Sequence, residues 1–101
     1  MAYTYTDLTI KMKIDPRWLA DEGTIYVGLQ PANGAAVEVE TTDVDLSTGI
    51  ITAHLTQEQS SKLVGRVWIQ CNGFLNGARW ASEAVPVSIR RNTIERVITN
   101  G

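Results

Sequence analysis

Leu8-Thr9-Ile10-Lys11-Met12-Lys13-Ile14 is the stretch on which the fold class turns. Its apolar side chains fall at every second position, so Leu8, Ile10, Met12 and Ile14 share one face of an extended chain and Lys11 and Lys13 the other. A helix would scatter the same residues around its axis, so the segment reads as a half-buried β-strand. Asp15-Pro16 ends it, because proline brings no amide donor to a ladder and disfavours helical geometry in the residue before it. Residues 17–23 are expected to form one short helical turn.

The same two-residue period recurs outward from this strand. Ile25, Val27 and Leu29 alternate with Thr24, Tyr26, Gly28 and Gln30, and Pro31-Ala32-Asn33-Gly34 closes that strand with a pair suited to a tight turn. Val37-Glu38-Val39-Glu40-Thr41 alternates again, residues 43–49 read as an Asp-rich turn, and residues 50–55 form a fourth strand. Thr56 and Gln59 have the spacing of a reciprocal helix cap, which predicts a short helix over 57–63, with Gly65 turning the chain into the next strand. Val67, Ile69 and Cys71 then alternate with Arg66, Trp68 and Gln70, residues 72–77 read as a hairpin loop, and strands follow at 78–83 and 85–89. Pro86 marks the last as an edge strand or a bulge. About seven short strands at this spacing predict one all-β domain over 1–101, an antiparallel immunoglobulin-like β-sandwich with short arms at 1–7 and 92–101. Ile10, Met12, Val27, Leu29, Val67, Ile69, Val87 and Ile89 are expected to point into its core.

The chemistry of the chain is spare. It holds 101 residues, 44% of them apolar, with a net charge of −2 and no clustered Lys/Arg run, so its charge argues against nucleic acid and anionic membrane as partners. No apolar run reaches the roughly 18 residues of a membrane span. One cysteine, Cys71, and one histidine, His54, supply neither an internal disulfide nor a zinc site. Cys71 is expected in a buried strand and His54 on a solvent-facing one. Asp43, Asp45 and Ser47 before Gly49 fall short of a calcium loop, which also needs a glycine at its sixth place and a glutamate at its twelfth. The expectation is therefore a non-enzyme without cofactor or metal. The aromatic residues and the apolar ends carry the binding expectation: Tyr3, Tyr5, Trp18, Trp80, Ile94, Val97 and Ile98 are candidate assembly contacts, and Trp18, Trp68 and Trp80 are the candidates for stacking on a sugar.

Leu55-Thr56-Gln57-Glu58-Gln59, followed by Leu63, Gly65, Val67, Ile69 and Gln70 and later by Gly77, Ala81-Ser82 and Val87, resembles small immunoglobulin-like proteins of tailed-bacteriophage structural modules. The layout is similar to the N-terminal sandwich of phage upper baseplate proteins and extends over residues 24–98. Ser60, where threonine is commoner, and Cys71-Asn72 depart from the pattern. The resemblance implies a virion structural protein, a capsid accessory, neck, tail or baseplate component, made in a bacterial host cytoplasm. Its implied partners are other virion proteins or further copies in a symmetric assembly, rather than nucleic acid or membrane. A carbohydrate-binding or adhesion module, with a glycan as partner, is the alternative.

Overall fold

The computed structural model describes residues 2–20 and 23–100. Met1 and Gly101, the outermost residues of the two expected arms, and residues 21–22 of the expected turn at 17–23 lie outside the described residues. One sheet follows the order β1 (Ala2–Tyr3), β9 (Val85–Arg90), β7 (Gly65–Leu75), β3 (Tyr26–Pro31) and β4 (Val37–Glu40), with β8 (Ala78–Ala81) paired to the far half of β7. The other sheet follows the order β2 (Leu8–Lys13), β6 (Ile50–Leu55) and β5 (Asp43–Asp45). The two are arranged as a sandwich.

Alternation decides which side chains lie between the sheets. Val27, Leu29, Val39, Val67, Ile69, Cys71 and Ile89 from the larger sheet meet Ile51, Ala53 and Leu55 from the smaller, all buried. Ile14, Leu19, Ile25 and Leu63 close the ends of this core. A fully buried Leu, Ile or Val contributes roughly 1.5–3 kcal/mol of transfer free energy, so this layer outweighs any single polar contact on the surface. Ile10, Met12 and Val87 have the expected phase but are only partly buried, packing against the edge of the core.

The expectation of a purely antiparallel sandwich is corrected at one edge. Ala2 and Tyr3 pair with Ile89 and Arg90 in parallel, which makes the larger sheet mixed. Thr4 locks this arrangement: it is buried, its amide donates to the Arg90 carbonyl at 2.8 Å, its hydroxyl accepts the Asn92 amide at 3.0 Å, and its carbonyl accepts the Asn92 side chain at 3.0 Å. Nine strands are present among the described residues, because β1 and β5 join those anticipated. β5 lies inside the expected turn at 43–49: Val44 packs on the core and Asp43 and Asp45 point outward. The turn proper is held by the Asp45 carboxylate, which accepts the Ser47 amide at 3.0 Å and the Ser47 hydroxyl at 2.7 Å.

Other boundaries shift for local reasons. The turn after β2 is a 3-10 helix over Pro16–Leu19, with Asp15 accepting the Arg17 amide. α1 (Gln57–Ser60) is shorter than the expected 57–63, although both halves of its reciprocal cap form: Gln59 N–H donates to the Thr56 hydroxyl at 3.2 Å and the Thr56 amide to Gln59 Oε1 at 2.9 Å. β7 runs through Asn72-Gly73 to Leu75, so the hairpin turn is only Asn76-Gly77, both at positive φ. β8 ends at Ala81, after which Ser82 continues the contact with β7: its amide donates to the Cys71 carbonyl at 2.9 Å and its hydroxyl oxygen accepts the Cys71 amide at 2.9 Å. Pro86 lies opposite Trp68 on β9, where β1 does not reach, so no outer ladder needs its missing amide.

Candidate assembly interface

The three tryptophans do not form one platform. Trp68 stands on the outer face of the larger sheet, exposed, with the Arg66 guanidinium 5.8 Å from its ring centre. Trp80, on β8, faces the opposite way and lies across Gly73: a Cβ at that glycine would come 2.6 Å from the ring. Trp18, from the 3-10 turn, packs against Trp80 at 5.5 Å between ring centres and an interplanar angle of 58°. These two rings cover one end of the sandwich, with Trp80 largely within it and Trp18 39% exposed. The buried Trp80 indole N–H has no hydrogen-bond partner among the described residues.

A different aromatic group lies on the outer face. Tyr26, Gly28, Glu38, Asn72, Phe74 and Arg79 line a shallow groove of about 390 Å³, in which Arg79 donates twice to Asn72 Oδ1, at 3.2 and 3.0 Å. Sequence reasoning missed this group because residues 72–77 read as a loop. The signal lay in Phe74, which continues the outward phase of Trp68, Gln70 and Asn72.

The terminal candidates rest on the domain itself. Tyr3 lies in β1 and Tyr5 follows at a φ of 57°, beside buried Thr4. Past β9 the chain bends back toward α1, where the Gln57 side chain donates to the Ile98 carbonyl at 2.7 Å and accepts the Ile98 amide at 2.8 Å. That clamp holds the backbone while leaving Ile94, Val97 and Ile98 about half exposed.

The seam between the sheets is an open apolar groove. β2 on one side and β9 with Ala2 on the other frame a groove of about 470 Å³, lined by Leu8, Ile10, Met12, Ile69, Val85 and Val87. Val85 is 49% exposed there, and Lys11 and Lys13 stand on the rim. β2 is the outermost strand of its sheet among the described residues. The seam explains why Ile10, Met12 and Val87 are less buried than their phase implies.

Arg17 hydrogen-bonds Asp15 and pulls its carboxyl down to about 2, and Asp15 in turn raises the guanidinium above its ordinary value. Hydrogen bonds from Ser47, then Thr48, hold Asp45 below the usual carboxylate range. Burial pushes the Cys71 thiol up to about 11, and its Sγ lies 3.3 Å from the Met12 sulfur. Exposed His54 shares a 3.0 Å hydrogen bond with the Thr9 hydroxyl across β2 and β6. No group of three His, Cys, Asp or Glu side chains among the described residues converges to hold a metal ion. No described helix is long and apolar enough to cross a membrane. No protein-family model, curated protein or solved structure matches the chain.

Proposed function

We propose that the chain is a non-enzymatic structural component of a tailed-phage particle, an immunoglobulin-like module that works through protein–protein assembly. The observation that carries the assembly reading is the seam: an apolar groove with a half-exposed valine, directly beside a six-residue strand whose outer edge no other strand pairs with among the described residues. Such an edge offers free backbone donors and acceptors beside apolar pockets, the combination used in strand addition. The particle setting rests on the resemblance around residues 55–59 and 63–70. The test is to purify particles carrying the parent chain or Val85→Asp. Val85 is too exposed for the change to unfold the domain, so the variant should melt like the parent and enter particles at reduced occupancy. Absence of the parent chain from purified particles would overturn the reading.

The glycan alternative draws its specific support from Tyr26 and Phe74 beside Arg79 and Asn72, an aromatic surface next to fixed hydrogen-bonding groups. On that reading Phe74→Ala abolishes binding on a glycan array and leaves melting unchanged. Retention of binding by this variant would remove the groove as the site.

A further inference from the structure

Two uncovered sheet edges of this molecule are complementary in charge, apolar pattern and backbone phase. β2 and β4 are terminal strands of their respective sheets among the described residues, of six and four residues. β1, with two residues, and β5, with three, are shorter, and β8, a further uncovered edge of four residues, carries no acidic side chain. β2 exposes Lys11 and Lys13, and β4 exposes Glu38 and Glu40. None of these four side chains enters either of the ion pairs found among the described residues.

Backbone phase follows from one hydrogen bond beyond each strand. Ile14 N–H donates to the Gly49 carbonyl at 2.8 Å, continuing the β2–β6 register by one pair. Antiparallel ladders alternate, so Met12 and Ile10 turn their backbone groups toward β6, while Lys11 and Lys13 turn theirs to the free side. Likewise, Thr41 N–H donates to the Ile25 carbonyl at 3.1 Å, continuing the β3–β4 register. Val39 and Val37 therefore bond β3, and Glu38 and Glu40 direct their backbone groups outward.

From this we infer that copies of the chain join through the β2 edge of one and the β4 edge of the next, antiparallel, with Lys11 opposite Glu40 and Lys13 opposite Glu38. The inference rests on the assembly reading and names the partner of the β2 edge. In this register Met12 stands opposite Val39, so the core-facing sides of the two strands also align. Like pairings are poorer: of the two five-residue antiparallel registers of β2 with another β2 that keep this backbone phase, one sets Lys11 against Lys11 and the other sets it opposite uncharged Thr9, and β4 with β4 sets Glu against Glu. β5 is a poorer acidic partner, because it is shorter and its Asp45 carboxylate is engaged by Ser47. β2 borders the seam with β9, whereas β4 leads into β5 on the other flank, so each copy presents both halves of the contact. The contact is heterologous and propagates into a ring or an open chain.

Sedimentation velocity over a concentration series, on the full chain, reads this directly. The parent should associate reversibly, less so in salt of about 0.5 M than about 0.05 M because the paired charges are solvent-facing. Lys11→Glu/Lys13→Glu and Glu38→Lys/Glu40→Lys should each weaken association roughly tenfold or more. Mixing the two variants, or combining all four changes in one chain, should restore it. Melting curves establish that each variant is folded; where a reversal lowers the melting temperature, Lys11→Gln/Lys13→Gln repeats the test. A parent that remains monomeric, a mixture that fails to recover, or equal weakening by Asp43→Lys alone overturns the pairing. Particle occupancy separates the two readings. A monomeric chain that still enters particles removes the self-pairing only, whereas rescued association in a chain absent from particles removes only the particle setting.

Discussion

Gly73 and Ser60 show how much of this fold depends on atoms that are absent or single. Gly73 continues β7 because only hydrogen leaves room for the Trp80 ring, so Gly73→Ala must displace an aromatic that also supports Trp18. The expected loss is about 1–3 kcal/mol in denaturant melts, as for other overpacked sites. Ser60 is fully buried; its hydroxyl accepts the Thr6 amide at 3.1 Å and donates to the Thr6 carbonyl at 2.8 Å. Ser60→Ala strands both groups and should cost about 1–3 kcal/mol. Thr56→Ala removes a cap on an exposed turn and should cost nearer 1 kcal/mol. A smaller loss for Ser60→Ala than for Thr56→Ala would contradict this ranking. The cap was legible in the sequence, because it depends on a fixed local spacing. The Ser60–Thr6 bond was not, because its partners lie 54 residues apart.

At the scale of elements, strands with a clean two-residue period were readable wherever one face is buried and the other wet. β2, β3, β4 and the start of β7 are of this kind. β1 and β5 were missed because two or three residues carry no period, and tertiary pairing alone makes them strands. The extent of β7 was missed because Asn72-Gly73 resembles a turn, while the ring of Trp80 supplies the reason for that glycine. The expected arms also resolve differently. Deleting residues 93–101 removes half-exposed side chains and the Gln57 clamp, so melting of the isolated chain should fall only slightly, by about 1 kcal/mol or less. Thr4→Val keeps the bulk of the side chain but loses the acceptor for the Asn92 amide, and should cost more than that deletion. Comparing the two melts decides which end is structural. Of the residues foreseen as contacts, Ile94, Val97 and Ile98 keep about half of their surface exposed, whereas Trp80 is occupied within the domain; the seam was illegible because it depends on where two sheets part.

For the molecule as a whole, the core and its protonation set the limits of stability. Val27→Asp or Ile69→Asp places a carboxylate between the sheets at a cost of several kcal/mol, comparable with the whole stability of a small domain, and should abolish cooperative melting. The folded chain retains the Cys71 proton up to about pH 11, whereas the unfolded chain releases it near its ordinary value of 9.0. The corresponding stability is complete below pH 9 and is lost as the pH rises through 11. Cys71→Ala should therefore show a shallower fall in melting temperature over that interval than the parent; parallel curves would exclude the thiol as a cause. The lock between Thr4 and Asn92, 88 residues apart, also has a consequence for biosynthesis. Of the strands of this domain, β1 emerges from a ribosome first and β9 last, so β1 has no strand to join until β9 has been made. Until then Leu8, Ile10 and Met12 lack the β9 side of the seam, an exposed apolar face of the kind that chaperones and neighbouring nascent chains capture.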